Sequence, residues 1–289
     1  WISHVDPLTG CIHGDIYHIG SWTHRCSHSK PNVANIFSIF HGKIKNAIDA
    51  IKDQYDAELR SLWEAPKGKV LVGTDAEGIQ LRVLAHIMGD EEYINAVANG
   101  RKEDESDVHN VNKRALNLDN ITRDNAKTFI YAWLLGASNT KVGLILKCTT
   151  ALAGKAVNNF IERYPGLKRV KTVDVPNDAS KGFFIGLDGR KVICDSEHLM
   201  LAGYLQNGEK IIMAVANILW VNKLTEMGVP FWQVNFVHDE WQTVANNEED
   251  AHIIGKVQCE ASEEAGRVLK LKIPLAGEYK IGLNWKETH

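Results

Sequence analysis

Several things are missing from this 289-residue sequence, and each absence removes a class of protein. No apolar run approaches the roughly 20 residues that span a bilayer. The longest candidate, Ile211 to Val221, is interrupted by Asn217. Cysteine is sparse: Cys11, Cys26, Cys148, Cys194 and Cys259 lie far apart, with no Cys-x-x-Cys pair. An odd, scattered set argues against a disulfide framework and for free thiols in a reducing compartment, so a cytoplasmic protein is expected. No internal repeat and no low-complexity tract is visible. A Gly-x-x-x-x-Gly-Lys-Ser/Thr segment is also lacking, which excludes a P-loop ATPase. There is no excess of positive charge. The net charge is −3, and a basic cleft remains compatible with that, because the distribution of charge matters more than its sum. The chain begins at Trp1 without a charged-then-apolar leader, which is expected of a piece of something longer and not of a signal peptide. What is present is ordinary globular composition, 44% hydrophobic and 24% charged, enough for one large or two small domains.

Residues 1–40 are rich in Gly, Ser, His and Pro and read as short strands and loops, with a turn near Leu8-Thr9-Gly10. Ile44, Ala47, Ile48, Ile51, Tyr55, Leu59 and Leu62 recur at helical spacing and predict a packed helix over 44–63. Lys69 to Asp75 reads as a strand ending on a carboxylate, followed by a helix over Ile79–Met88. The stretch from Asp90 to Leu118 is polar, and its charge run at 101–105 reads as a solvated loop. Thr122 is placed to cap a helix over Arg123–Leu135. On that helix Arg123, Lys127 and Tyr131 recur every four residues and share one stripe. Taken alone, the stripe reads first as a solvated basic face with one amphipathic Tyr.

Further on, four cations between Arg163 and Lys171 are candidates to meet phosphate. A hairpin with its turn at Asp188-Gly189 is expected over Phe183–Val192, and a long helix over Leu199–Thr225. The segment Phe231 to Ala245 is apolar on both sides of His238-Asp239-Glu240, which predicts a strand pair with its polar residues at the bend. Carboxylates in such a setting cost several kcal/mol unless paired or bound to a cation. His24, Cys26 and His28 alternate along one strand with no fourth ligand nearby, which argues against zinc.

Three blocks then stand in a fixed order: Asp75-Ala-Glu-Gly-Ile-Gln80-Leu-Arg82, Arg123-Asp-Asn-Ala-Lys127-Thr-Phe-Ile-Tyr131-Ala-Trp-Leu-Leu-Gly136, and Val237-His-Asp-Glu240. Together they closely resemble motifs A, B and C of the family A DNA polymerases, the group of bacterial DNA polymerase I and of short-tailed phage replicative enzymes. Thr23-His-Arg25-Cys-Ser27 with Pro31-Asn32-Val-Ala-Asn35-Ile36 is similar to the family's TGRxS…PNxQNIP segment. Asp107-Val-His109 resembles its D-I-H segment, Leu205-Gln206 its minor-groove glutamine, and Gly282-Leu-Asn-Trp285 with His289 its natural ending. The RDNAKTFIY string and the Leu-Asp-Gly-Arg-Lys hairpin lean towards the phage enzymes.

The resemblance implies template-directed transfer of a dNTP to a primer 3′-hydroxyl. Two Mg²⁺ ions can activate the attacking oxygen and stabilise the leaving one, and Mg²⁺ takes oxygen ligands while keeping water and phosphate in its shell. It assigns Asp75 and Asp239 as metal ligands, with the Ala76 carbonyl nearby and Glu240 as a supporting acid. Arg123, Lys127 and His109 would neutralise the triphosphate, and Lys127 would protonate pyrophosphate. Tyr131 would lie by the incoming nucleotide, where Tyr goes with acceptance of dideoxynucleotides, and Gln80 would act as the gate against a ribose 2′-hydroxyl. Arg25 and Gln206 would read minor-groove acceptors, which checks base-pair geometry and not sequence, and His238 would touch the primer terminus.

The same resemblance implies an α+β fold: an antiparallel palm sheet from 1–87 and 202–289, with mostly helical fingers at 88–201 inserted between the halves. Primer–template DNA and dNTPs are the implied partners, with no membrane. A thumb and an exonuclease domain are missing ahead of Thr23, so an upstream domain or a separate chain is expected to supply them. A binding fragment that needs such a partner is the alternative to an active enzyme, and use of an RNA template is a third reading. The sequence departs from the family pattern in several places. Gln80 stands where most members carry Glu, which predicts weaker but retained sugar selection. Ala132 follows the aromatic in place of Gly, and Leu135 replaces a template-side Tyr. Asp195 and Ala202 replace Arg and Asn near the duplex, His24 replaces a Gly, and Phe37 a Pro.

Overall fold

The structure, a computed structural model, describes residues 2–36 and 59–289. Most of the helix expected over 44–63 lies outside the described residues, as does Phe37. In chain order, the hairpin strands β1 (Asp15–Tyr17) and β2 (Ser27–Ser29) come first, followed by β3 (Val70–Ala76). Eight helices succeed it: α1 (Ile79–Met88), α2 (Glu91–Asn99), α3 (Val108–Leu116), α4 (Arg123–Leu134), α5 (Asn139–Leu146), α6 (Thr150–Arg163), α7 (Pro165–Arg169) and α8 (Val175–Lys181). The hairpin β4 (Phe183–Ile185) and β5 (Lys191–Ile193) leads into the long helix α9 (Glu197–Met227). Strands β6 (Trp232–Val237) and β7 (Glu240–Ala245), helix α10 (Glu248–Val268) and β8 (Gly277–Gly282) complete the chain. Among the described residues no helix is long and apolar enough to cross a membrane.

Two compact units result. Unit one is Trp1–Glu77, Ile212–Ala265 and Leu275–His289; unit two is Gly78–Ile211 and Gly266–Pro274. The sequence reading placed its boundaries at 87/88 and 201/202, whereas the units change at 77/78 and within α9 at 211/212.

Unit one is built on an antiparallel sheet of order β6-β7-β3-β8. The inner strand β7 is buried along its whole length, which is why its sequence is apolar without a clean alternation. Leu71, Val244 and Trp285 form a core with Val33 and Ile36, and Trp220 stacks edge-on against Trp241 at 6.0 Å. Three buried polar side chains form a chain: Thr74 Oγ1 donates to Gln258 Oε1 at 2.7 Å, and Gln258 Nε2 to Thr243 Oγ1 at 2.9 Å. That chain ties α10 to the two central strands without leaving an orphan amide. Gly73 has a specific reason. A methyl there would overlap the Thr288 carbonyl and the Gln242 amide, so only glycine lets the segment around Thr288 lie on β3.

Unit two is helical around an aromatic core. Phe160 meets Phe129, Trp133 and Tyr164 edge-on at 5.5, 5.4 and 5.8 Å, and Tyr164 meets Tyr93 at 5.2 Å. These rings come from α4, α6 and α2, so they fix how α4 lies. The polar stretch 90–118 holds two helices, and only its charge run is an exposed turn. Tyr93, Ala96, Val108, Val111 and Ala115 supply an apolar face that overall polarity concealed. Pro176 lacks the N–H for a helical bond and crowds the preceding turn, and the chain opens into a π-turn over Val170–Asp174 just before it.

Candidate active site

In unit one the sheet register aligns the carboxylates. Asp75, near the end of β3, stands directly opposite Glu240 on β7 and Glu278 on β8. Directly opposed residues lie about 4.5–5.5 Å apart at Cβ and share a face, and like charges there are destabilising. Asp239 occupies the two-residue bend between β6 and β7, where His238 takes a left-handed φ of 55°. The Ala76 N–H donates to the Asp239 carbonyl at 3.0 Å. Thus Asp75, Ala76 and Asp239, distant in sequence, are joined by adjacent backbone. The donors gathered here are oxygens, which suits Mg²⁺ or another hard cation. Among the described residues no group of three or more His, Cys, Asp or Glu converges.

Glu240 is turned inward. It is 5% exposed, and its Oε1 accepts from Trp285 Nε1 at 2.6 Å and from Gln242 Nε2. Its Oε2 pairs with His289 Nδ1 at 2.9 Å. Burial alone would raise the Glu240 pKa, but the His289 contact, with Gln242 and Trp285, outweighs it and lowers it. Thr288 Oγ1 donates to Gln242 Oε1 at 2.9 Å. The segment 285–288 is therefore latched to the strand that carries the bend. On the other side, His28 Nε2 shares a hydrogen bond with the Phe236 carbonyl at 3.0 Å, and burial lowers the His28 pKa. Arg25 lies close enough to His238 to lower its pKa, after desolvation and against the pull of Asp239.

In unit two the basic stripe is confirmed on α4. Thr122 and Asn125 form a reciprocal capping box, Thr122 Oγ1 accepting from Asn125 N at 3.1 Å and Asn125 Oδ1 from Thr122 N at 3.0 Å. Ala126, Phe129, Ile130, Trp133 and Leu134 are buried, so Arg123, Lys127 and Tyr131 are left on the outer side. Arg123 is fixed by Asp107, its Nε and Nη2 lying 3.0 and 2.9 Å from Oδ1. Asp107 also caps α3, accepting from His109 N at 3.0 Å and from Asn110 Nδ2 at 2.6 Å. Burial opposes ionisation of Asp107, yet Arg123 and these donors hold its pKa below the usual value. Lys127 is exposed and makes no ion pair among the described residues. His109 is 8% exposed, its ring 6.2 Å from that of Tyr131. Its pKa is pushed down to about 4, by burial first and then by Arg123, with Asp107 opposing.

Gln80, on α1, is half-buried, and its Nε2 donates to Glu209 Oε2 on α9 at 2.9 Å. Gln206 is half-buried one turn earlier on α9. The cations between Arg163 and Lys171 are engaged within the protein: Arg163 with Glu92 at 2.5 Å, Lys168 with Glu162 at 2.7 Å, Arg169 with Asp174 at 3.1 Å, and Lys171 over the Trp133 ring.

The sequence matches the DNA polymerase family A description over residues 1–287. The chain belongs to DNA polymerase family A. Among similar proteins, the DNA-directed DNA polymerase of Enterobacteria phage T3 is 30% identical over 318 residues, covering 100% of this chain and 42% of the relative. The DNA-directed DNA polymerase of Escherichia phage T7 shares the same 30% identity and coverage. DNA polymerase I of Caldicellulosiruptor bescii is 29% identical over 98% of this chain and 33% of the relative. A solved structure, the POL domain of Pol1 from M. smegmatis in complex with DNA primer-template and dNTP, has the same fold, with a TM-score of 0.81 at 22% identity. It covers 99% of this chain and 50% of that one. The fold is α+β, as the resemblance implied. This family A chain thus spans less than half the length of its phage relatives.

Three contacts in this family A chain escaped the sequence reading: the Asp107–Arg123 lock, the His28 clamp on Phe236, and Glu209 beside Gln80. Asp107 carried a legible signal, an Asp one residue ahead of a helix, where it caps. The other two depend on long-range pairing and had none.

Proposed function

We propose that this chain is a template-directed DNA polymerase, with unit one as palm and unit two as fingers. The observation that carries the reading is the carboxylate register. Asp75 is set between Glu240 and Glu278, and the Asp239 bend is bonded to the next residue, Ala76. The register thus gathers oxygen donors from segments distant in sequence, the kind of ligand that a hard divalent cation takes.

Asp75 and Asp239 would hold two magnesium ions, with the Ala76 carbonyl as a further oxygen. When bound, the ions supply charge stabilisation and an activated hydroxyl at neutral pH. Glu240, held by Trp285 and His289, keeps the bend in place. In unit two, Arg123, Lys127 and His109 would bind the dNTP triphosphate. Lys127 is exposed and without an ion pair among the described residues, and so is suited to deliver a proton to pyrophosphate. Arg123 is oriented by Asp107 before any substrate arrives, and that reduces the ordering cost of binding. His109 is neutral at pH 7, so it contributes a hydrogen bond and not a charge. Tyr131 lies on the same stripe, by the incoming nucleotide. Arg25, His238 and Gln206 would contact the primer–template.

Primer extension on a DNA template, with and without Mg²⁺, tests the reading. Metal-dependent addition of the templated nucleotide is expected. Retention of primer–template without any addition would favour the binding-fragment alternative, in which an upstream domain or partner chain supplies what catalysis needs. Replacing the template by RNA in the same assay decides the reverse-transcription reading.

A further inference from the structure

Glu209 is a carboxylate where a buried charge is costly, and no role above uses it. It is 1% exposed, on the part of α9 that belongs to unit two. Its Oε2 accepts the 2.9 Å hydrogen bond from the Gln80 side-chain amide on α1. The two helices are brought together by Gly208: a methyl there would sit 2.7 Å from Val83 Cγ1, and Val83 is fully buried. Val83 is three residues beyond Gln80, one helical turn away. The close approach that Gly208 permits therefore places position 209 beside position 80.

We infer that Glu209 is a positioning residue for sugar selection, acting by locking the Gln80 side chain in place. The inference rests on the polymerase reading, in which Gln80 is the gate. A glutamine side chain has three rotatable bonds and loses rotamer entropy when fixed. Left free, it can swing aside and admit a 2′-hydroxyl. Because Gln80 donates through Nε2 to Glu209 Oε2, the contact also fixes the amide orientation: Nε2 faces Glu209, and Oε1 faces away. The carboxyl group lacking at position 80, relative to the Glu of most family members, thus stands at position 209 and firms the gate from behind.

The test measures kcat/KM for dNTP and rNTP incorporation by the full chain and its Glu209→Ala, Glu209→Gln, Gln80→Ala and Gln80→Ala/Glu209→Ala variants. With Glu209→Ala, discrimination should fall by about tenfold, through a gain for rNTP more than a loss for dNTP. Glu209→Gln should fall less, because an amide pair keeps a hydrogen bond but not a fixed orientation. Adding Glu209→Ala to Gln80→Ala should change nothing further. If Gln80→Ala lowers discrimination and the Glu209 variants do not, the positioning role is wrong and the gate stands. If Gln80→Ala itself has no effect, the gate reading fails first. A thermal-denaturation cycle over the full chain, its two single alanine variants and the double variant is independent of turnover. Non-additive Tm shifts support the pair, and additive shifts overturn it.

Discussion

His109 gives the account a pH signature at the level of one residue. Its pKa is held at about 4 in the fold and is 6.5 when unfolded. Above pH 6.5 both states are neutral and nothing is lost. As pH falls from 6.5 towards 4, the unfolded chain takes up a proton that the fold refuses, so stability drops, on the order of 3 kcal/mol by pH 4. Asp107, whose pKa is lowered, adds a further loss as pH falls through the carboxylate range. Denaturant midpoints at pH 7, 5.5 and 4.5 should show this slope, and His109→Gln should flatten its upper part. An unchanged slope would mean that His109 titrates normally. Asp107→Asn should raise the KM for dNTP by several-fold and cost about 1–3 kcal/mol, because it frees Arg123 and unpairs a half-buried cation. The residue types at these positions were legible in the sequence; their partners were not, since Asp107 and Arg123 belong to different helices.

In the polymerase reading, the bend that carries Asp239 is backed by contacts to the strands beside it. Gly73 allows the segment near Thr288 to lie on β3, and Trp285 and His289 grip Glu240. Gly73→Ala should cost about 1–3 kcal/mol through overpacking and should also lower extension, because the latch is displaced. Trp285→Phe removes the N–H that Glu240 accepts and replaces the buried indole by a smaller phenyl ring, so a Tm loss from the cavity is expected together with a loss of kcat. A Tm loss with kcat intact would show the latch to be structural alone. Much of the element pattern was legible. The strand at 69–75, the helix at Ile79–Met88, the capped helix from Arg123, the hairpin at 183–192 and the bend at His238-Asp239 are all present. β8 was not, because Gly277–Gly282 alternates weakly and is made a strand by its pairing with β3. Helices α2 and α3 were hidden by polar faces that reach solvent.

For the molecule as a whole, the net charge of −3 means that any grip on DNA rests on locally placed cations. On the polymerase reading, primer extension depends on such phosphate contacts. It should weaken steeply between about 50 and 200 mM salt, where counterion release dominates binding to phosphates. Long products from single encounters at the higher salt would contradict that.

Single-turnover addition of one nucleotide by the wild-type chain and by its Asp75→Asn and Asp239→Asn variants bears most directly on the polymerase reading. Each variant should lose addition by roughly a thousandfold or more, about 4 kcal/mol of transition-state stabilisation. Near wild-type addition by either variant would contradict the assignment, and so would a loss of addition matched by loss of the fold.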